Sequence, residues 1–533
     1  ADISGSAQDC YNNLLASSMV LHDYVFEITD LENTVRRELG DGFNTTLHVF
    51  LSISDGEHEA KVVCGSGATL QEAWSAAEQA AGELVRDELL PTVYLKADIV
   101  NRIERVASSQ LGARIAADAG IYGEFFRKGI SFDAAFSASL LEAEINANEL
   151  IDYDVSKDLI MEKINLYLAQ KDAPTVQSLP ESVYLFTCRG YVKDVDGCYT
   201  LGEQPDTDYG RRTVQVVDRD YVSQMMTATA SRMFEQMSAN GQFANGYYPI
   251  SGLPIEQYDL AGQAAALSSL SRYAEAFDSA GLYREDLQKA ASALSSRIVS
   301  RDENTAFALN EETGEITAGA CIQSVLAFLD YDEAEDDANS AETAKKLGNG
   351  LLTMIDPSTG KLNHVLNADY SVKTAQTDRT FDSAAVYALS RLYGETEDER
   401  YLNAAKTMTN ALIRENYTQY GDCWISVAME ELTKYDKSTE YFNFALRNFN
   451  DNADALESRV ISMPQYTILL VSTYRIYTQM QAENITTDLF SSFDYNRLVT
   501  LTVSRAEDLL NGVAYPEVAM YFHNPADTIG LFY

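Results

Sequence analysis

The stretch Arg391-Leu-Tyr-Gly-Glu-Thr-Glu-Asp-Glu-Arg-Tyr-Leu-Asn-Ala-Ala-Lys406 joins the end of one helix to the start of the next, and weaker versions of it recur along the chain. An aromatic closes the first helix, an acidic turn follows, and a second aromatic precedes small residues. Related segments begin at Arg272-Tyr273 (continuing to Leu282-Tyr283), at Leu329-Asp330-Tyr331, and at Lys434-Tyr435 (continuing to Tyr441-Phe442). Recurrence at roughly 40–60 residues predicts stacked helical hairpins with one shared core, because a single hairpin cannot bury its own apolar face. From about Tyr221 onward strand signals nearly vanish. Helical periodicity there predicts about eleven helices, near 220–239, 260–279, 284–299, 317–330, 339–354, 382–393, 398–415, 424–435, 438–449, 463–482 and 497–512. Such alternation builds either a solenoid or a closed toroid of six hairpins, and a count near twelve without a polar capping repeat favours the toroid. The long connections Gly241–Tyr258, Ile355–Phe381 and Glu415–Trp424 are rich in Tyr, Asp, Asn and Gly, and a ligand site is expected among them.

The first part of the chain reads differently. His48–Ser54 and Glu59–Cys64 alternate as two strands across Asp55-Gly56, a common hairpin pair. Thr69-Leu-Gln-Glu72 is a capping box for a helix through Leu84, and Thr92–Asp98 reads as a third strand, with helical stretches following to about Leu168. Val183–Cys188 and Cys198–Leu201 read as another hairpin, in which Cys188 and Cys198 can pair if the register permits. Gln204–Arg211 is the most linker-like segment. A chain of 533 residues exceeds the usual size of one core. The expected fold is therefore mainly α, a C-terminal (α/α)6 toroid over 211–533 preceded by an α+β domain over 1–210.

Composition excludes several functions. A formal charge of −40 repels nucleic acid and anionic membrane surfaces. No apolar run approaches the ~18 residues that span a bilayer. The chain begins at Ala1 with no charged-then-apolar leader, which leaves its compartment and its oligomeric state open. Gly65-Ser-Gly67 lacks the third glycine of a dinucleotide loop. Asp330–Asp337 lacks the glycine and closing glutamate of a calcium loop and reads as a solvated turn. With no His-Glu-x-x-His, zinc-spaced cysteine pair or Gly-x-Ser-x-Gly, no cofactor, metal or serine nucleophile is expected.

The candidate site residues lie in the long connections. Tyr247, Tyr248 and Tyr258 stand beside Asn, Gln and Asp259, the mixture that stacks on sugar C–H faces and bonds to hydroxyls; they serve equally as core plugs. Asp382 opens a small-residue helix, as an N-cap or as a carboxylate at the toroid mouth. Asp422 and Trp424 also open a helix, and Glu431 follows on an otherwise apolar face. Two of Asp259, Asp382, Asp422 and Glu431 are the expected proton donor and base of a glycoside hydrolase. Tyr247, Tyr248, Tyr258 and Trp424 form the expected sugar platform. His364, in Lys361-Leu-Asn-His-Val-Leu-Asn367, is a candidate ligand or general base.

The C-terminal portion resembles the six-hairpin glycosidase-like superfamily, whose (α/α)6 toroids include N-acylglucosamine 2-epimerases, unsaturated glucuronyl hydrolases and glucuronyl epimerases. The resemblance is carried by Tyr258-Asp-Leu-Ala-Gly-Gln-Ala264, by Met354–Gly360 with His364–Asn367, by Phe381-Asp-Ser-Ala-Ala385, and by Asp422-Cys-Trp-Ile-Ser426 with Glu430-Glu-Leu432. Phe125–Phe132 and Leu141–Asn148 resemble the N-terminal module of a set of bacterial proteins that carry such a toroid. The resemblance implies a carbohydrate ligand and a hydrolase, an epimerase or a glycan-binding scaffold. It also implies departures. Those relatives carry an Arg-His pair where this chain has Gly262-Gln263, a Gly-Glu pair at Ser383-Ala384, and histidines at Gly421 and Cys423.

Overall fold

The computed structural model describes residues 46–88, 93–121, 126–153, 156–195, 197–203, 209–212, 217–248, 251–255, 259–278, 280–458, 463–509 and 513–531. Most of the linker-like segment Gln204–Arg211 lies outside them. The chain packs as two units. The first comprises Ala1–Val216, Tyr248–Leu253 and Asn511–Tyr533, and the second Val217–Tyr247 and Pro254–Leu510. The first unit is therefore discontinuous in sequence, because the last twenty or so residues return to it.

The first unit is built on a seven-stranded sheet. Its strands are β1 (Leu47–Ser54), β2 (Lys61–Gly67), β3 (Tyr94–Ala107), β4 (Gly129–Ser131), β5 (Ser139–Leu140), β6 (Ser182–Lys193) and β7 (Cys198–Thr200). They run in the order β2-β1-β3-β6-β4-β5, with β7 on β6. Helices α1 (Leu70–Glu88), α2 (Ser108–Ile121), α3 (Glu142–Ala147) and α4 (Met161–Gln170) pack around it. The period-two pattern of β1 sends Val49, Leu51 and Ile53 to the face covered by Ala73, Trp74 and Ala77 of α1. Phe50 goes to the other face, with Phe136, Phe186, Met520 and Tyr521. The capping residues act as expected, since Thr69 Oγ1 accepts from the Glu72 N–H and Glu72 reaches back to the Ala68 N–H. The expected third strand is far longer than its apolar core, reaching Ala107 through pairing with β6. Cys188 stands opposite Val100, and Cys198 opposite Lys193, so the register separates the two thiols and no disulfide joins them.

Gly65-Ser-Gly67 has a packing role. A Cβ on Gly65 would lie 2.1 Å from the Ala77 nitrogen and 2.3 Å from the Ala73 oxygen, so helix α1 rests directly on β2. Gly65→Ala should cost about 1–3 kcal/mol by overpacking. Gly82→Ala, where nothing lies within 4 Å, should be neutral or stabilising. Thermal unfolding of the two variants checks the pair, and equal effects would contradict the close approach.

The second unit contains eleven long helices among the described residues. These are α5 (Arg219–Glu235), α6 (Leu260–Phe277), α7 (Arg284–Ser295), α8 (Ala318–Glu335), α9 (Ala338–Met354), α10 (Thr380–Thr396), α11 (Glu399–Arg414), α12 (Cys423–Leu432), α13 (Thr439–Glu457), α14 (Pro464–Glu483) and, after the single turn α15 (Asp488–Ser491), α16 (Tyr495–Leu509). Helices α6, α8, α10, α12 and α14 pack successively on one another, and the odd-numbered helices lie outside them. The sequence encodes this division. Helix α8 is buried nearly all round, as an inner helix must be, whereas α11 buries only Tyr401, Leu402, Ala405, Met408, Thr409, Ala411 and Leu412 at three-to-four-residue spacing. Aspartate or threonine side chains cap the starts, with Asp259, Thr317, Asp337, Asp398 and Asp422 each accepting from a first-turn amide.

Two expectations are corrected in this unit. Strands do occur, as a five-stranded sheet in the order β8 (Ile298–Ser300), β9 (Ala306–Asn310), β10 (Glu315–Thr317), β11 (Val365–Asn367) and β12 (Val372–Thr374). Each is too short to leave a period-two signal. Asp330–Asp337 is not a solvated turn, because α8 runs through it to Glu335. Asp330 is buried there, paired with Arg391 at 3.0 Å and accepting from Ser268 Oγ at 2.5 Å.

Candidate functional site

Inner helices α10 and α12 begin side by side at the end of the unit from which the longer connections enter. The N-cap of α10 is Arg379, whose side chain makes no cap bond. That work falls to Asp378, which accepts from the Thr380 N–H (2.9 Å) and hydroxyl (2.8 Å). Asp382 is thereby released from capping and turns inward, with 6% of its surface exposed.

There it meets two groups from distant loops. The Tyr417 hydroxyl, in a short 3-10 turn (Tyr417–Tyr420), donates to Asp382 Oδ2 at 3.2 Å. His364 Nε2, wholly buried, lies 3.3 Å from the same oxygen. The imidazole's other nitrogen accepts the Thr377 backbone N–H at 2.8 Å. An accepting Nδ1 in the neutral ring places the proton on Nε2, facing Asp382. Burial, and then the Asp382 charge, push the Tyr417 phenol well above its ordinary range, so it stays a donor.

Asp422 caps α12 through one oxygen, accepting from the Trp424 N–H at 2.9 Å. Its other oxygen meets the hydroxyl of Ser383, the residue after Asp382. Burial pushes its carboxyl from 3.8 to about 6, with the charges of Asp378 and Asp382 adding to the effect against the hydrogen bonds from Ser383 and Trp424. Asn448 fixes the backbone by donating to the Asp422 carbonyl at 2.8 Å. Trp424 is half-buried and tilts against Tyr387 with ring centres 5.9 Å apart. On the surface, the Arg379 guanidinium lies 4.2 Å above the ring of Tyr420, which is 45% exposed.

Asp259 and Glu431 are not part of this cluster. Asp259 is exposed and caps α6. Glu431 lies nine residues beyond Asp422 on α12, about 13 Å along the axis at 1.5 Å per residue, where it binds Lys434 (2.6 Å) and Tyr435 (2.8 Å). Its burial reflects an ion pair at the opposite end of the helix. Tyr247 and Tyr248 form a two-residue strand, with Tyr248 58% exposed, and Tyr258 lies outside the described residues. His364 is sealed against Asp382 and presents no surface to a ligand. Two of the departures acquire roles. Gln263 clamps the preceding loop, accepting from the Phe243 N–H and donating to the Gly241 carbonyl, and Ser383 is the hydroxyl on Asp422. Tyr417 and Thr377 carry no local signal, because their partners lie 35 and 13 residues away.

No protein-family model and no curated protein matches the chain. Among solved structures it is similar to a cellobiose 2-epimerase from Bacillus thermoamylovorans (10% identity, TM-score 0.44, covering 56% of this chain and 88% of that one). It is also similar to a D-mannose isomerase (11%, 0.43, 60% and 96%) and to a GH76 alpha-mannanase of Bacteroides thetaiotaomicron (15%, 0.31, 43% and 72%). At such scores no chemistry transfers from them. The second unit, by the order and packing of its own helices, has the alternating inner and outer helices of a six-hairpin (α/α)6 toroid.

Proposed function

We propose that the second unit is a glycoside hydrolase in which Asp422 is the proton donor and Asp382 the second carboxylate. The observation that supports this is the Asp382–Ser383–Asp422 arrangement, two carboxyl groups at the starts of adjacent inner helices, one of them raised to a pKa of about 6. A buried carboxylic acid that keeps its proton near neutrality is the group a glycosidic oxygen needs as its C–O bond breaks. Asp382, oriented by Tyr417 and His364, then acts as base toward water or as nucleophile at the sugar carbon, according to its separation from Asp422. Trp424 and Tyr420 supply apolar faces beside the pair for sugar C–H groups.

Epimerisation through His364 is disfavoured. Its one lone pair is taken by the Thr377 N–H, and its proton faces Asp382, so His364 has no free lone pair with which to deprotonate a carbon. A second reading, glycan binding without turnover, is favoured by the near-complete covering of both carboxyls. A glycan screen in deuterated water separates the three. New reducing ends, lost in Asp382→Asn, support hydrolysis. Deuterium on a ring carbon without new ends would overturn it in favour of epimerisation, and saturable binding without either product would leave a binding protein.

A further inference from the structure

The first unit holds a small cavity of about 30 Å³ that opens to solvent. Its floor is the sheet face on which Lys96 and Asp98 stand two residues apart on β3, opposite Val192 and Gly190 of β6. Both are almost fully buried, at 4% and 6% exposure. The Lys96 ammonium lies 3.1 Å from Asp98 Oδ2 and donates to the Tyr521 hydroxyl at 3.4 Å, which in turn pairs with Ser52 Oγ at 2.7 Å. Asp98 Oδ2 accepts no aligned hydrogen bond among the described residues. Beyond its ion pair with Lys96, a buried carboxylate oxygen without an aligned hydrogen bond costs free energy, and a ligand donor can recover it.

The walls keep the cavity open over this pair. Four lining residues are glycines: Gly129, Gly190, Gly202 and Gly210. A Cβ on Gly190 would lie 3.1 Å from Asp98 Oδ1 and 2.8 Å from Leu201 Cδ1. Tyr209 lines the cavity as well, with the Arg127 guanidinium 5.7 Å from its ring centre.

Charge decides what fits. Lys96 balances Asp98, and Glu142, the third charged lining group, is held by Arg127 at 3.0 Å and Asn146 at 2.9 Å. No counter-charge is left for a net-charged ligand. A metal ion would face the Lys96 ammonium, and an inorganic anion would face Asp98 and Glu142. The occupant must be neutral, must donate to Asp98 and must accept from Lys96 at adjacent positions. Neighbouring hydroxyls of a diol stand about one hydrogen-bond length apart, as Nζ and Oδ2 do here.

We propose that this cavity binds a small neutral polyhydroxy compound of the sugar type, one hydroxyl donating to Asp98 and its neighbour accepting from Lys96, with Tyr209 against its C–H face. The site lies in the first unit and does not depend on hydrolysis at Asp382 and Asp422. Saturation-transfer NMR and calorimetry on the full chain, with D-glucose, D-mannose, glycerol, glycine and inorganic phosphate as probes, test it. At least one of the three polyols should bind. Ala143→Phe, which fills the cavity while leaving the Lys96–Asp98 pair intact, should weaken that binding by about tenfold or more, and Asp98→Asn should do the same. No binding of any polyol would leave the cavity to water and overturn the proposal. So would a polyol held equally well by the Ala143→Phe protein, or a preference for glycine or phosphate.

Discussion

On the proposed assignment, Asp422→Asn should lower hydrolysis by orders of magnitude while making the protein more stable at neutral and alkaline pH. The Asp422 carboxyl is raised from 3.8 to about 6, chiefly by burial. Between those values the folded chain holds a proton that the unfolded chain has lost, so this group's contribution to stability falls as pH rises through the window. Above about pH 6 the penalty is complete and amounts to about 3 kcal/mol. Asparagine removes the charge, keeps an oxygen for the Trp424 N–H and caps a helix as well as aspartate does. The Tm difference between variant and parent should therefore be several degrees at pH 8 and shrink toward zero near pH 4. Loss of a general acid should reduce turnover by about 10²–10⁴-fold, and the parent's own rate should fall as pH rises past about 6. A variant less stable than the parent at pH 8 would mean that Asp422 is a paired structural charge. Unchanged turnover would remove it from the reaction.

Arg391→Met should be among the most destabilising single changes in the second unit. Arg391, the first residue of the recurring helix-turn-helix segment, reaches from α10 to Asp330 (3.0 Å) and Glu333 (2.8 Å) on α8 and to the Tyr387 hydroxyl (3.2 Å). Burial works against its charge, yet Tyr387, Asp330 and Glu333 hold it firmly protonated. Burial pushes the Asp330 carboxyl up even with the arginine in place. Removing the guanidinium leaves a buried carboxylate hydrogen-bonded, among the described residues, to Ser268 alone, with Arg272 acting only through its charge, a loss of about 3–5 kcal/mol and a Tm lower by roughly 5–10 °C. The double change Asp330→Asn with Arg391→Met should recover much of it, since the buried charge is then gone. If the double variant is no better than the single one, the arginine acts through packing of its aliphatic stem.

The helical half was legible because its signals are local. Eleven periodic segments and the turns between them were readable one at a time, and the eleven long helices fall at the eleven expected places. The short strands β8–β12 were not, since three to five residues show too little alternation, and the pairing of Glu315–Thr317 with Val365–Asn367 joins segments far apart in sequence. Asp330 was misread for a related reason. A run of acidic residues reads as solvated until Arg391, 61 residues away, is seen against it.

The site divides in the same way. Sequence pattern marked Asp382, Asp422 and Trp424 as polar or aromatic groups at loop–helix junctions, and His364 as a polar group in a loop-to-strand region. It could not say that Asp378 takes over the capping of α10, that His364 and Tyr417 converge on one oxygen of Asp382, or that Glu431 is engaged at the other end of its helix. By itself the sequence determined the number and approximate positions of the long helices, because helical periodicity depends on residues within a few positions of one another. Only the tertiary structure decided which carboxyl groups share an environment and that burial raises the Asp422 carboxyl. Burial, and the approach of groups tens of residues apart, set those energies, and neither is written in any local pattern.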